Sequence, residues 1–176
     1  MKKREIKREK ELFKKLSGII RKLDSYEEIY PEKEIEEKQR LNERTINELK
    51  LMEDTFYGTS LSEYINNLID IENEIREKGM LYEEELIKAL YVRDRINLLC
   101  LADVKNDADI DKDMQAAYYA DRRESLAASV WKNTRTICIT DNHKQRMHAL
   151  RIRKKTMIYM DVIDSSLKDM KEGEHG

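Results

Sequence analysis

The sequence has one proline, five glycines and two cysteines in 176 residues. Each scarcity excludes something. Antiparallel sandwiches and barrels need turn residues about every 8–12 positions, and this chain lacks them. Two cysteines cannot build a disulfide scaffold. Cys100 and Cys138 sit among apolar neighbours and read as reduced core thiols. No apolar run approaches the ~18 residues of a membrane-spanning helix. The chain is charged from Lys2 onward, so a secretory signal is not expected. The scattered glycines supply neither a Walker A loop nor a dinucleotide fingerprint.

What is present is charge. Charged residues make up 40% of the chain, apolar residues another 40%, and the mean hydropathy is −0.81. Average globular domains carry only ~25% charge. Helices accommodate such a composition, because each buries one stripe and exposes the rest. The expectation is an all-α, elongated helical bundle of five to six helices, some of them long and coiled-coil-like. No Gly/Ser/Pro-rich linker or repeat divides the chain, so residues 1–176 read as a single domain with a mobile tail from about residue 172.

Apolar spacing places the helices. Ile6, Leu12, Phe13, Leu16, Ile19, Ile20 and Leu23 form one stripe. A second helix starts at Ser25 or, better, at Pro31, since an interior proline costs ~3 kcal/mol or more. Its stripe of Ile35, Leu41, Ile46, Leu49, Met52 and Phe56 is sparse, and Gly58 stops it. Ser60 and Glu63 have capping-box spacing before Leu61, Tyr64, Ile65, Leu68, Ile69 and Ile75, with Gly79 as the stop. From Leu81 to Val104 the apolar residues, Tyr91 and Leu101 among them, cover most of the circumference. This predicts a central helix, with Asp94 and Arg93 or Arg95 paired to neighbours.

A fifth helix should run from Asp109 or Ile110 to about Asn133, its apolar set being Ile110, Met114, Ala117, Tyr118, Leu126, Val130 and Trp131. The β-branched run Thr134–Thr140 reads as a frayed end or an extended connector. The last helix is capped by Thr140 or Asp141, packs through Met147, Leu150, Met157, Met160, Leu167 and Met170, and ends by Gly173.

The near-neutral total of −2 conceals blocks of one sign. Residues 1–23 carry ten cations and three acids, 24–90 eight and nineteen, and 132–160 eight and one. Within the last block Lys144, His148, Arg151 and Lys155 share one helix face, flanked by Arg146, Arg153 and Lys154. Such a face suits a polyanion or an acidic protein partner. A solvated stripe, or one lying on the acidic helices, is the plainer reading.

Other chemistry fails its tests. Asp107, Asp109, Asp111 and Asp113 alternate like a calcium loop, but Lys112 replaces its glycine and Tyr118 its bidentate glutamate. His143 and His148 are five apart and do not share a face. Glu83, Glu84 and Glu85 with Asp94 match no defensible carboxylate cage.

No cofactor, metal, membrane or small-molecule substrate is therefore expected, and no enzymatic activity. The expected function is a non-catalytic, cytoplasmic assembly or adaptor protein acting as a homo-oligomer or in a protein complex. By type it suits a structural or accessory factor of a phage or mobile element, a virion component included. A nucleic-acid-binding regulator using Lys144–Lys155 is the first alternative, and an all-α enzyme with an acidic site the second.

Overall fold

The structure is a computed structural model describing residues 2–21, 32–78 and 83–175, with side chains described for 7–16, 18–19, 43–78 and 84–170. The described residues form six α-helices and no strand: α1 Lys2–Arg21, α2 Glu32–Thr55, α3 Ser60–Lys78, α4 Glu83–Ala102, α5 Lys112–Ile139 and α6 His143–His175. A 3-10 turn at Asp107–Asp109 precedes α5. The protein is an all-α helical bundle. The expected helix start at Ser25 or Pro31 and the stop at Gly79 lie outside the described residues. Chain contacts divide the molecule into two compact units, Met1–Asp109 and Ile110–Gly176.

In the first unit the helices close a ring: α1 packs on α2 and α4, and α3 packs on α2 and α4. Their inward residues recur at helical spacing. Phe13, Leu16 and Ile19 come from α1; Ile46, Leu49, Met52 and Phe56 from α2; Leu61, Ile65, Leu68 and Ile75 from α3. The rings of Phe13 and Phe56 meet with centroids 5.5 Å apart. On α4 every residue from Val92 to Ile96 is buried, and five consecutive helical positions span the whole circumference. Tyr91 and Leu101, which the spacing also assigned to that circumference, instead face outward.

Helix ends account for the loops. Gly58 has φ +80°, the left-handed conformation that glycine adopts at little cost, and it turns α2 into α3. The α3 cap is Thr59, one residue before the expected Ser60. The Ser62 N–H donates to Thr59 Oγ1 at 3.2 Å, and the Glu63 N–H to the Thr59 carbonyl at 3.3 Å. Ser60 is used differently. Its N–H donates to Asn106 Oδ1 at 3.3 Å, and its Oγ accepts from the Asp107 N–H at 3.1 Å. The Leu61 N–H reaches the Lys105 carbonyl at 2.9 Å. All four N–H groups of the first α3 turn thus have acceptors. The connector supplying them leaves α4 through Asp103 at φ 55°. The Val104 N–H bonds to Leu99 O, and the Asp103 N–H to Cys100 O, the Schellman pattern with aspartate in the usual glycine position.

The second unit is an antiparallel hairpin of α5 and α6 joined by residues 140–142. Helices of 28 and 33 residues are about 42 and 50 Å long at 1.5 Å per residue. Asp111 caps α5, its Oδ1 accepting from the Asp113 and Met114 N–H groups. Three expectations are corrected here. Thr134–Ile139 is neither frayed nor extended but helical. Thr134 and Thr136 turn their hydroxyls onto the carbonyls of Val130 and Lys132, which suits threonine to a helix. The α6 cap is Asn142, whose Oδ1 accepts from the Gln145 N–H at 3.2 Å, rather than Thr140 or Asp141. And α6 continues past Gly173 to His175. One glycine costs a helix only ~1 kcal/mol relative to alanine, too little to end it unaided.

Two leucines of α4 give a test of this packing. Leu99 is fully buried and Leu101 is exposed. Leu99→Ala should cost ~2–5 kcal/mol by opening a cavity, whereas Leu101→Ala should cost under ~0.5 kcal/mol. Chemical denaturation of the two variants measures both.

Candidate interaction surface on the last helix

The hairpin fixes which way each α6 residue points. Ala149, Lys155, Thr156, Tyr159 and Ile163 are buried, with Ile152, Met160, Leu167 and Met170 half-buried beside them. Tyr119 and Leu126 are the buried residues of α5, and Ile110 precedes them. Arg123 on α5 ties the two helices by donating from Nε to Asp164 Oδ1 at 2.5 Å. That hydrogen bond and the aspartate charge raise the Arg123 pKa further above its ordinary value.

The structure splits the cationic set read from the sequence. Lys144, Arg146 and Arg151 are exposed, and so is Lys154. His148 is half-buried. Lys155 is 2% exposed, so it does not continue the stripe into solvent. Arg153 turns toward α5, its Nε donating to Thr134 Oγ1 at 2.9 Å. Arg146 folds back on the hairpin loop and donates to the Thr140 carbonyl at 2.7 Å. Identical spacing along a helix cannot distinguish Lys144 and Arg151 from Lys155, because Lys155 lies on the boundary of the packed face. Small rotations of the helix decide its side.

The methionine stripe is corrected more sharply. Met147, Leu150 and Met157, expected to pack inward, are exposed, and Ile158 and Val162 join them, all five between 37 and 43%. The packed face is instead built on Ala149, Thr156, Tyr159 and Ile163. The exposed set is arranged around Lys154, which stands four residues after Leu150 and three before Met157 and so shares their side of the helix. So α6 has two apolar faces. The signal was present in the sequence as an excess of apolar residues over what one stripe holds.

On α5 the outward positions include Trp131, 76% exposed, together with Ile139 and Met114. Cys138, read as a core thiol, is exposed for the same reason: the continuing helix turns it away from the packed side. Tyr119 is buried and Tyr118 half-buried, with their rings edge-on 5.5 Å apart.

Polar side chains in the first unit support structure. Asp107 accepts from Arg95 at 2.5 Å and from the Tyr64 hydroxyl at 2.8 Å, with the Arg95 guanidinium 6.0 Å from the Tyr64 ring centroid. Lys105 pairs with Glu9 and lies 5.9 Å from the Phe56 centroid, fastening α1 to the same connector. Arg93 and Asp94 are both buried, their charges 3.9 Å apart. Glu85 pairs with Lys78 at 2.9 Å. Of the alternating aspartates, Asp111 serves as a cap and Asp107 as an ion-pair partner. Among the described residues no three His, Cys, Asp or Glu side chains gather into a metal-binding group, and no helix is long and apolar enough to cross a membrane. A groove of about 520 Å³ between α1 and α2 is walled by Arg8, Glu11, Lys15 and Asp54 with Leu12 and Leu51. Its mixed charges set no nucleophile beside a base.

The chain matches no protein-family model, no curated protein and no solved structure.

Burial first, then the hydrogen bond to Asp107, raises the Tyr64 pKa well above the usual tyrosine value. The unfolded chain ionises this phenol near pH ~10 while the folded chain keeps it protonated. The contribution is therefore complete below that pH and is lost as pH rises toward the folded value. Stability should fall above pH ~10 less steeply in Tyr64→Phe than in the wild type. Urea unfolding at stepped alkaline pH reads the difference.

Proposed function

We propose that the protein is a non-catalytic assembly or adaptor protein that works through protein–protein contacts on the outward face of α6. The observation that carries this reading is the second apolar face itself. Five large apolar side chains are aligned along one helix and left in solvent, and aligned exposed apolar residues mark interaction surfaces. Methionine and leucine flanked by Arg and Lys suit an adaptable protein contact better than a phosphate backbone. Lys144, Arg146, Arg151 and Lys154 around the apolar residues give the surface a charge preference, steering it toward acidic partners.

The nucleic-acid reading rests on those same four exposed cations and makes a different demand. If they contact phosphates, affinity falls steeply with salt, and each lost contact lowers the log–log slope by about 0.9 on duplex DNA. The expected result is no retention of DNA or RNA at physiological salt, and no slope change in the Lys144→Gln, Arg151→Gln, Lys154→Gln variant. A photo-crosslinking residue at Ile158, used in the cell, should form adducts with protein, and one at exposed Asp70 should not. Nucleic-acid adducts at position 158, with tight salt-dependent binding abolished by the triple change, would overturn the reading.

A further inference from the structure

We propose that the occupant of this face is the same face of a second copy, docked antiparallel about a two-fold axis near Met157 and Ile158. The proposal rests on the reading of α6 as a protein-contact helix and names its partner.

Charge decides the orientation. From His143 to Met160 the sequence carries six cations and no acid, and from Asp161 to Gly176 five acids and two cations. A parallel pair would set the four exposed cations, Lys144, Arg146, Arg151 and Lys154, against their own copies. An antiparallel pair sets the basic half of each helix against the acidic half of the other. Both halves are also placed against the helix dipole. The first turn of α6 contains no acid, and Lys144 and Arg146 lie near the positive end. Acids collect toward the negative end. The hairpin does not offset this, because the α5 segment beside the α6 start contributes Lys132 and Arg135. A second α6 running the other way offsets both ends together.

The register follows from the apolar positions. With the axis between Met157 and Ile158, Met157 of each copy meets Ile158 of the other at the centre. Lys154 then faces Asp161 of the second copy, and both side chains are exposed in the single chain. Leu150 faces Ser165, a small residue that makes room for it. Such a contact is isologous, so it closes at two copies and leaves no open end for further growth.

Sedimentation velocity on the purified full chain tests this. The wild type should move from 21.0 kDa to twice that mass as concentration rises. Ile158→Asp should weaken association by more than about tenfold, because it places a charge at the centre of an apolar contact. Lys154→Glu and Asp161→Lys should each weaken it by about tenfold, since each sets like charges together at two symmetric places. Combined in one chain they should restore association to within about threefold of the wild type. All three positions are exposed, so helicity and melting temperature should stay unchanged, which separates lost association from lost folding.

A dimer indifferent to Ile158→Asp would overturn the choice of face. Loss without rescue in the double reversal would overturn the antiparallel register. A strict monomer at hundreds of micromolar would overturn the second copy as occupant. If protein adducts at position 158 persist in cells in that last case, the broader protein-contact reading stands while this inference fails.

Discussion

Two helices can cover only one stripe of each other, and the second unit depends on that limit. A pair of cylinders in contact shields roughly the facing third of each circumference. The packed face of α6 takes Ala149, Thr156, Tyr159 and Ile163, and no rotation of the helix could also enclose Met147, Leu150, Met157, Ile158 and Val162. Turning the second set inward would expel the first, including Tyr159, whose side chain is almost wholly buried. The apolar excess is thus a property of a two-helix unit with a two-faced helix. It is relieved only by something laid against the outside.

The first unit solves its problem differently. Four helices in a ring give each helix two neighbours, so one stripe suffices for α1 and α3, while α4 is buried all round from Val92 to Ile96. The remaining difficulty is polar: the first turn of α3 has N–H groups to satisfy, and α4 brings Arg93, Asp94 and Arg95 into buried positions. The connector after α4 meets part of both demands. Lys105 and Asn106 accept from the first two N–H groups of α3, and Asp107 receives Arg95 and Tyr64 together. Losing one member of such a network leaves another desolvated without its partner, which costs more than the bond itself contributes. The charges of α4 are best understood as structural for that reason.

Helices α1 and α3 were legible because each has one stripe. Phe13, Leu16 and Ile19, or Ile65, Leu68 and Ile75, repeat with a period that only a helix satisfies. Two-faced helices defeat that method. Spacing alone selected Met147, Leu150 and Met157 as the packed face of α6, and those residues do form a stripe, but the outer one. On α5 the same reasoning took Met114 and Trp131 as core and passed over Tyr119, which is buried. Thr134–Ile139 failed for another reason: propensity disfavours a β-branched run in a helix, yet threonine hydroxyls bonded to carbonyls four residues back sustain one. The basic residues were located correctly along the chain, but which of them reach solvent depends on helix rotation, which spacing does not encode.

Lys154 is the residue on which the interaction reading is most specific. It sits among apolar neighbours on the outer stripe, where a leucine would give a longer uninterrupted patch and, on general grounds, tighter and less selective association. Polar residues at single positions of a helical seam cost affinity and in exchange select one alignment. On the proposed pairing Lys154 faces Asp161 of the second copy, and shifting the helices by one turn separates them. Methionines at Met147 and Met157 adapt to small errors of fit but discriminate poorly between registers. On this pairing alignment would come from charge, the reversal of sign between the two halves of α6 acting at long range and Lys154 with Asp161 at contact.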